Sequence, residues 1–450
     1  MSEETCRLAS YLCGIKYAEL DSDTVDAAKK CIEDFIGVAI AGSAKKESEI
    51  WKKYYSERKS LSESHTFQLG FQQMEVEQAA ALNAVFGHVM DMDDVHNASI
   101  VHLGVITVPT AVALGEKLHK SGTDVIESVV AGYEAGARIG EAINPSSYKY
   151  WHTTGVVGPF AAGATAAKLL NLNEEQMLNC LGSAGTQAAG LWEFLESGAM
   201  SKVLHTANGN LCGIRAAKLA GLGFTGSPTI LEGKRGFVRA LAAEFNLTRL
   251  TEGYGRKYCI LENSFKPYAC CRHTHSANYC IEKILEKNNF SIDDIAAIID
   301  ETYSTAVQTT NDPDPENAYA AKFSVQFCIA AMLVLHDLSD SVFTPENVAD
   351  PRIRKLMSKI TVKMDPELDR EFHDDPTQWS HRITIALKDG RTITERVDFP
   401  LGDAKNAFSW DMEDRKFRRL TEKLSSSERE NLLDKLHSLE KLDDVSALFK

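Results

Sequence analysis

The sequence predicts a mainly α-helical protein in which a large all-helical domain carries a smaller α+β domain that acts as a lid. Two observations lead to this prediction. Residues 1–265 place apolar side chains at helical spacing almost throughout, whereas residues 266–398 include runs that alternate between apolar and polar side chains, as strands do. The spacing is helical again over residues 399–450, so we expect that segment to complete the large domain.

In the first part, the run from Asp21 to Gly42 predicts a long helix, because Asp21 or Ser22 can cap its start and Gly42 suits its end. The run from Gly122 to Ile143 repeats this pattern. Two further stretches, GVVGPFAAGATAAKLL and LGSAGTQAAG, consist largely of small residues. They have too little side-chain bulk for solvent-facing helices, so we expect them where helices approach closely in the core.

In the second part, the runs ITVKM, HRITIALKDG and RTITERVDF predict strands, and Lys388-Asp389-Gly390 between the last two predicts a hairpin. The apolar run AKFSVQFCIAAMLVLHDL predicts a helix in the same segment. After Ser409, the runs DRKFRRLTEKL and SERENLLDKLHSLEKL predict two more helices, with Ser426 as the cap of the second.

Composition narrows the class of function. A chain of 450 residues with 44% hydrophobic and 25% charged residues is typical of a globular protein with a large core. A net charge of -14 argues against nucleic acids and anionic membranes as partners. Ten cysteines without a framework spacing indicate reduced thiols, and we find neither a signal peptide nor a membrane-spanning run. We therefore expect a cytoplasmic location.

The stretch from His88 to His102, HVMDMDDVHNASIVH, holds three carboxylates and three imidazoles within fifteen residues. Such a density of titratable groups beside an apolar helix is costly unless the groups are paired or used. We expect a helix, a polar loop that forms one wall of a site, and a second helix that starts at Thr107 and Pro109. Two alternatives stay open: a transition-metal site, and capping of the second helix by some of the acids. The residues concerned are His88, Asp91, Asp93, Asp94, His96 and His102.

Three other motifs carry candidate residues. The segment SFKPYACCRHTH places a lysine, an arginine and two histidines at the predicted domain boundary, which indicates an anion pocket, while its zinc alternative lacks a second ligand pair. His152 in YWHTTG precedes a small-residue helix whose N-terminus could receive a carboxylate, although such a histidine can be a cap. Lys202 in GAMSKVLH stands alone in an apolar helical context, where lysines often snorkel. The GxGxxG match at 221–226 follows a helix, so we interpret it as chance.

Taken in order, HVMDMDDVH with His102, YWHTTG, GAMSKVLH, SFKPYACCRHTH and AKFS resemble the MmgE/PrpD family over nearly the whole chain. That family includes 2-methylcitrate dehydratase, cis-aconitate decarboxylase and iminodisuccinate epimerase. The resemblance implies a helical domain with an α+β lid, a homodimer, a small polycarboxylate substrate, and chemistry without a metal or an organic cofactor. It carries catalytic roles to Asp91, His102, His152, Lys202, Lys266 and His275, and we add substrate-binding roles for Cys271, Arg272 and His273.

The sequence departs from the decarboxylase-type members in two places. Cys271 stands where they have a histidine five residues after the lid lysine, and the spacing from Asp91 to His102 is one residue longer. Family substrates lose a proton next to a carboxylate, so lysines must stabilise the developing charge and a histidine, His102 or His152, must act as the base. We therefore expect a hydro-lyase similar to 2-methylcitrate dehydratase. The alternatives are an imino- or amino-dicarboxylate epimerase, a cis-aconitate decarboxylase, and an inactive anion-binding protein of the same fold.

Overall fold

The computed structural model describes residues 3–58 and 60–450, and it confirms a mainly α-helical fold with a smaller α+β part. The helices of the first part are α1 (Glu4–Gly14), α2 (Ser22–Gly42), α3 (Lys46–Ser56), α4 (Val76–His88), α5 (Gly104–Lys117), α6 (Gly122–Ile143), α7 (Thr153–Leu169), α8 (Glu174–Gly185), α9 (Lys202–Gly221) and α10 (Phe237–Leu241). Short strands lie between them: β1 (Ser64–His65), β2 (Gln73–Met74), β3 (Val95–His96) and β4 (Asn263–Ser264).

The core of this part is built around α7, which packs against α6 and α9. Glycines allow α7 and α9 to approach closely: a Cβ added to Gly209 would lie 3.4 Å from the Cα of Gly158. A Cβ added to Gly213 would lie only 2.4 Å from the Cβ of Ala162. The prediction that the GVVGPFAAGATAAKLL stretch lies in close helix packing is therefore confirmed.

Helix α5 begins earlier than predicted, at Gly104, and Pro109 lies inside it. A proline inside a helix leaves the carbonyl four residues earlier without its amide donor. Here that carbonyl belongs to Val105, and Nδ2 of Asn210 on α9 donates to it at 3.1 Å. The predicted start at Thr107 is wrong because a neighbouring helix replaces the hydrogen bond that the proline removes.

The second part consists of α11 (His275–Lys287), β5 (Ile295–Thr302), α12 (Ser304–Thr310), α13 (Ala318–Ala321), α14 (Val325–Leu335), α15 (Pro345–Val348), α16 (Pro351–Met357), β6 (Ile360–Met364), α17 (Pro366–Asp374), β7 (His381–Leu387) and β8 (Thr392–Val397). The sheet has the order β6-β5-β7-β8, in which β5 and β6 are parallel and the other pairs antiparallel. The predicted hairpin is confirmed as the β7–β8 connection, and α11 covers these two strands.

The chain then returns to the first part through α18 (Trp410–Leu420) and α19 (Ser426–His437). Helix α18 packs against α2, and the buried Lys416 of α18 forms an ion pair with Asp34 of α2. Ser425, one residue before the predicted cap, accepts from the backbone amide of Glu428 at 3.2 Å. This packing supports our proposal that residues 399–450 complete a domain formed by 1–265, with 266–398 as the lid. No helix within 3–58 and 60–450 has the length and apolarity needed to cross a bilayer.

Candidate active site

The loop between α4 and α5 forms the centre of the site because its backbone turns sharply after His88. The amide of Asp91 donates to the carbonyl of His88 at 3.0 Å, and Asp91 has φ +55°, a left-handed conformation that aspartate tolerates better than most residues. The buried Asp91 side chain therefore leaves the line of α4. Strand β3 then pairs with β4, which brings Lys266, two residues after β4, to this loop.

Two lysines share the Asp91 carboxylate. Nζ of Lys202, the first residue of α9, lies 2.6 Å from Oδ1 of Asp91, and Nζ of Lys266 lies 3.4 Å from the same oxygen. Burial would raise the pKa of Asp91, but the two ammonium groups hold it well below its ordinary value. Burial lowers the pKa of Lys266, and Asp91 only partly opposes this. Among the residues that the structure describes, Nζ of Lys266 has no hydrogen-bond partner.

The tautomer of His102 is fixed by its surroundings. Its Nδ1 lies 2.8 Å from the backbone oxygen of Asp94, which can only accept, and 3.2 Å from Oδ2 of Asp93. The Nδ1 atom therefore carries the proton, and neutral His102 has an unprotonated Nε2. Asp93 also accepts from Nδ1 of His88 at 2.8 Å. Burial would raise the pKa of Asp93, but the two histidines hold it below its ordinary value, so it stays ionised.

The other residues of the loop are structural. Asp94 accepts from the amide of Gly104 at 3.0 Å and from the hydroxyl of Tyr133, so it stabilises the start of α5. This is the capping alternative considered for the acids. His96 bonds the hydroxyl of Ser99 through Nδ1, and it lies in β3, away from the cavity lining.

His152, which precedes α7, faces the same cavity. Its Nδ1 lies 3.0 Å from Nδ1 of His205, which is one turn along α9 from Lys202. Burial, followed by the charges of His205 and Lys202, holds the pKa of His152 well below its ordinary value. His152 is the N-cap residue of α7 by position, as the capping alternative predicts, but its ring makes no capping hydrogen bond.

The segment that begins the second part of the chain contributes Cys271, Arg272 and His273 to the cavity. Nδ1 of His273 lies 2.6 Å from the hydroxyl of Tyr303, and its buried Nε2 has no partner among the described residues. His275, in contrast, does not line the cavity: its Nε2 lies 3.2 Å from the backbone oxygen of Cys270, and its Nδ1 lies 3.2 Å from Arg272. Two predicted residues therefore do not line the cavity: Lys266, which reaches the site through its ion pair with Asp91, and His275, which begins α11 and bonds within its own segment.

The cavity between these groups is small. It holds about 20 Å³, room for one or two water molecules, although a polycarboxylate needs far more. Ile100 lines it and packs with Tyr303 and Trp379 of the second part, and its φ of +53° is strained for a β-branched residue. A second pocket of about 370 Å³ adjoins this cavity, and Tyr148 and Trp192 line both of them. The rings of these two residues meet edge to face, with centroids 4.9 Å apart. Substrate access therefore requires the cavity to open.

Lys322, in the AKFS motif, holds the turn of the loop in place. Its Nζ donates to the backbone oxygens of Met90 and Ala269 at 2.7 and 3.0 Å and to Oδ1 of Asp340 at 2.8 Å. The ammonium group thus uses all three donors to tie the second part of the chain to the residue before Asp91.

A metal ion would meet unfavourable charges in this site. One ligand atom each from His88, Asp91 and His102 lie within 4.8 Å of one another, so the residue types would suit a divalent ion. However, the Asp91 oxygen nearest to the lysines is already bound by Lys202 and Lys266. A cation there would face two ammonium groups, so the donor set fits an anionic ligand better than a metal.

Sequence reasoning missed several residues of the site. His205 had a usable signal, since it lies three residues after Lys202 in GAMSKVLH and shares its helix face. The aromatic residues of the wall had none, because their contacts join segments far apart in the chain. They are Tyr148, Trp192 and Trp379, whereas the fourth aromatic residue of the wall, Phe323, belongs to the AKFS motif.

Comparison with known proteins agrees with this architecture. A family model described as the MmgE/PrpD N-terminal domain matches residues 6–250, and one described as the MmgE/PrpD C-terminal domain matches residues 268–440. The chain is 28% identical to cis-aconitate decarboxylase of Aspergillus terreus, covering 100% of this chain and 95% of that protein. It is 26% identical to human cis-aconitate decarboxylase, with 98% and 92% covered. It is also 26% identical to mitochondrial 2-methylcitrate dehydratase of Yarrowia lipolytica, with 62% and 55% covered.

Proposed function

This chain belongs to the MmgE/PrpD family, and we propose that it is a lyase that acts on a small polycarboxylate by removing a proton next to a carboxylate. The first candidate reaction is dehydration of a hydroxylated polycarboxylate, as in the relatives named 2-methylcitrate dehydratase. The observation that carries the proposal is the pair of buried lysines that share one carboxylate, Asp91, beside the imidazole of His102.

The lysines suit the electrostatic part of such a reaction. With one carboxylate between two ammonium groups, the cluster of Lys202, Lys266 and Asp91 has one excess positive charge. A substrate carboxylate would neutralise it, and the negative charge that develops as the carbon loses its proton would strengthen the interaction. Asp91 then acts as the group that holds both lysines in position.

The histidines suit the proton transfers. His102 has its proton fixed on Nδ1, so Nε2 is the basic atom, and the ionised Asp93 stabilises the imidazolium that forms. We propose His102 as the base that takes the proton from carbon. His152 lies on the same cavity and would protonate the departing hydroxyl group. His273 and Arg272 supply lid donors for a second substrate carboxylate, and we withdraw His275 from the proposed catalytic set.

A second candidate is decarboxylation of an unsaturated tricarboxylate. It is favoured by the relatives named cis-aconitate decarboxylase, which align with this chain over nearly their whole length, whereas the dehydratases align over about half of theirs. Against it stands Cys271, at the position where the resemblance predicts a histidine. Epimerisation of an imino- or amino-dicarboxylate would use the same base and the same lysines.

Proton NMR in D2O with a panel of acids separates these reactions. The panel contains 2-methylcitrate, citrate, cis-aconitate and iminodisuccinate. New alkene signals from a hydroxy acid support dehydration, loss of carbon dioxide from cis-aconitate supports decarboxylation, and deuterium uptake with inversion supports epimerisation. An unchanged spectrum with every acid favours the inactive anion-binding protein and refutes the proposal.

A pair of histidine variants completes the test. His102→Asn retains a donor toward the backbone oxygen of Asp94 but has no base, and we expect it to lose turnover by on the order of 10²- to 10⁴-fold. His119→Asn alters an exposed histidine and should leave turnover unchanged. The family resemblance also leads us to propose a homodimer and a cytoplasmic location; light scattering at micromolar concentration tests the first, and a monomer would contradict it.

A further inference from the structure

The proposed mechanism gives His205 no role, although it makes the closest contact of His152. The two Nδ1 atoms are 3.0 Å apart, and the ring centroids are 5.2 Å apart with an interplanar angle of 41°. One of these nitrogens must donate and the other accept, so the two rings share a single proton between them. His152 has Nε2 left for the cavity, and the half-buried His205 has Nε2 left on the other side of the pair.

The fold leaves space for this pair at two glycines. A Cβ added to Gly155 would lie 3.1 Å from the Cβ of His205, and one added to Gly190 would lie 3.3 Å from its Nδ1. Gly190 has φ +144°, and its carbonyl accepts from the amide of His152 at 3.0 Å. Trp192 packs against His152, with the two ring centroids 4.7 Å apart. A side chain at either glycine would therefore crowd the ring of His205, and the two glycines leave room for the pair.

We propose that His205 is the proton-relay partner of His152, so that the two rings together exchange a proton between the cavity and solvent. This inference rests on the proposed function, because it assigns a route to the proton that His152 gives to the substrate. Its basis is the Nδ1–Nδ1 contact together with the partly exposed position of His205.

The relay has two balanced states. In the donor state, Nδ1–H of His205 donates to Nδ1 of His152, and His152 carries its proton on Nε2. When that Nε2 proton passes to the leaving hydroxyl group, Nδ1 of His152 takes the proton of His205, and Nε2 of His205 takes one from water. In the resulting acceptor state, Nδ1–H of His152 donates to His205, and the water molecule is left as hydroxide. The pair resets when Nε2 of His152 takes up the proton that His102 removed from carbon, Nδ1 of His152 returns its proton to Nδ1 of His205, and Nε2 of His205 returns its proton to the hydroxide. One proton enters from water for each one given to the substrate.

The relay also separates the roles of the two cavity histidines. The tautomer of His102 is fixed by a backbone carbonyl, so it can act only as a base in its neutral form. The tautomer of His152 can change because its partner is another imidazole. Burial and the nearby Lys202 lower the pKa of His205 to about 4, and the groups charged or titratable around His152 are His205, Lys202, His88 and His102. Both rings of the pair are therefore neutral at pH 7, as the two states require.

Two substitutions of His205 separate relay from positioning. His205→Asn can keep a hydrogen bond to Nδ1 of His152 but cannot pass a proton, and His205→Ala leaves space for a small imidazole. For the acid found by NMR, we expect His205→Asn to keep KM within about twofold and to lose kcat by on the order of 10²-fold. We expect imidazole buffer to restore kcat to His205→Ala in proportion to its concentration as the neutral base. A control, Leu204→Ala at an exposed position of the same helix, should change neither quantity.

The outcomes are distinct. If His205→Asn keeps kcat within about threefold, or if imidazole does not rescue His205→Ala, His205 serves only to position His152 and the relay is refuted. If the wild-type protein turns over none of the acids, the proposed function fails, and the shared proton is judged by ¹⁵N NMR of histidine-labelled protein. A change in the ¹⁵N signals of His152 between the wild-type protein and His205→Asn, showing a changed tautomer, supports the pair. A His152 spectrum that is identical in both proteins overturns it.

Discussion

Nζ of Lys202 lies 2.6 Å from Oδ1 of Asp91, and both groups are buried in a cavity wall. Lys202 begins α9, and Asp91 lies in the loop after α4, 111 positions earlier. Because Lys266 approaches the same oxygen at 3.4 Å, one carboxylate is shared by two ammonium groups, and this cluster of three side chains carries one excess positive charge. An isolated buried charge of this kind is costly, which is the pattern expected where an anion completes the set.

We expect Lys266→Met to lose turnover far more than stability. The substitution removes a fully buried ammonium without a hydrogen-bond partner, so the free energy of unfolding should change by no more than about 1 kcal/mol and can rise. Turnover should fall by on the order of 10²- to 10³-fold, as for loss of one group that stabilises developing charge. Steady-state kinetics beside urea unfolding measures both.

Lys168→Met is the matched control for that variant. Lys168 is also largely buried, but it binds Glu127 at 2.8 Å and the backbone oxygens of Cys13 and Ile15, away from the cavity. It should lose stability and keep turnover. If Lys266→Met retained wild-type turnover, Lys266 would have no place in the site.

Metal removal should leave the activity unchanged. The three groups that could ligate an ion, His88, Asp91 and His102, face two lysines whose charge opposes a cation. We expect protein dialysed against a strong chelator to keep its kcat and KM, with metal content below stoichiometric by elemental analysis. Loss of activity that one divalent ion restores would contradict the charge argument and support the alternative of a transition-metal site.

The carboxyl group of Asp94 should make stability depend on pH. Burial, followed by the nearby Asp34, raises the pKa of Asp94 to about 7, compared with about 3.9 in an unfolded chain. Between these values the folded state binds more protons than the unfolded state, so the contribution of Asp94 is fully present below pH 4 and is lost as the pH rises through 7. Asp94→Asn has no carboxyl group that titrates at this position. The free energy of unfolding of the variant minus that of the wild-type protein should therefore rise by on the order of 2–4 kcal/mol from pH 5 to pH 8.

Urea unfolding at pH 5, 6.5 and 8 measures this difference, with Asp340→Asn as the control. Lys322 and Lys45 hold the pKa of Asp340 below its ordinary value against the effect of burial, so this carboxyl is ionised in both states over the whole range, and its partners do not titrate there. Its replacement should therefore cost a nearly constant amount of stability. Equal slopes for the two variants would show that Asp94 is ionised in the folded protein.

Cys271 should prove to be a wall residue and not a nucleophile. Burial, followed by the charge of Asp91, raises the pKa of its thiol to about 12, so almost none is thiolate at pH 7. We expect Cys271→Ala to keep kcat within about fivefold, which corresponds to ~1 kcal/mol. A thiol reagent should label the exposed Cys6 well before the buried Cys271, and mass spectrometry measures the rate of labelling at each site. Rapid labelling of Cys271 with parallel loss of activity would instead indicate a reactive thiol.

Local pattern predicted much of the fold. The strands β6 to β8 and their hairpin follow from alternation and a turn signal, and α2 follows from the cap at Asp21, whose side chain accepts from the amide of Thr24 at 2.7 Å. These features depend on residues close together in the chain. The start of α5 could not be predicted in this way, because the amide that satisfies Val105 comes from Asn210 on another helix.

The sequence by itself determined which chemical groups the protein has and in what order: the acids and imidazoles of 88–102, Lys202 at the start of α9, and the cations after residue 265. Only the tertiary structure decided how they are used. It joined Lys202 and Lys266 on one oxygen, turned His275 into the lid in favour of His273, and paired His152 with His205. The physical reason is that ion pairs and tautomers depend on distances of about 3 Å between groups that the chain separates by tens to hundreds of residues.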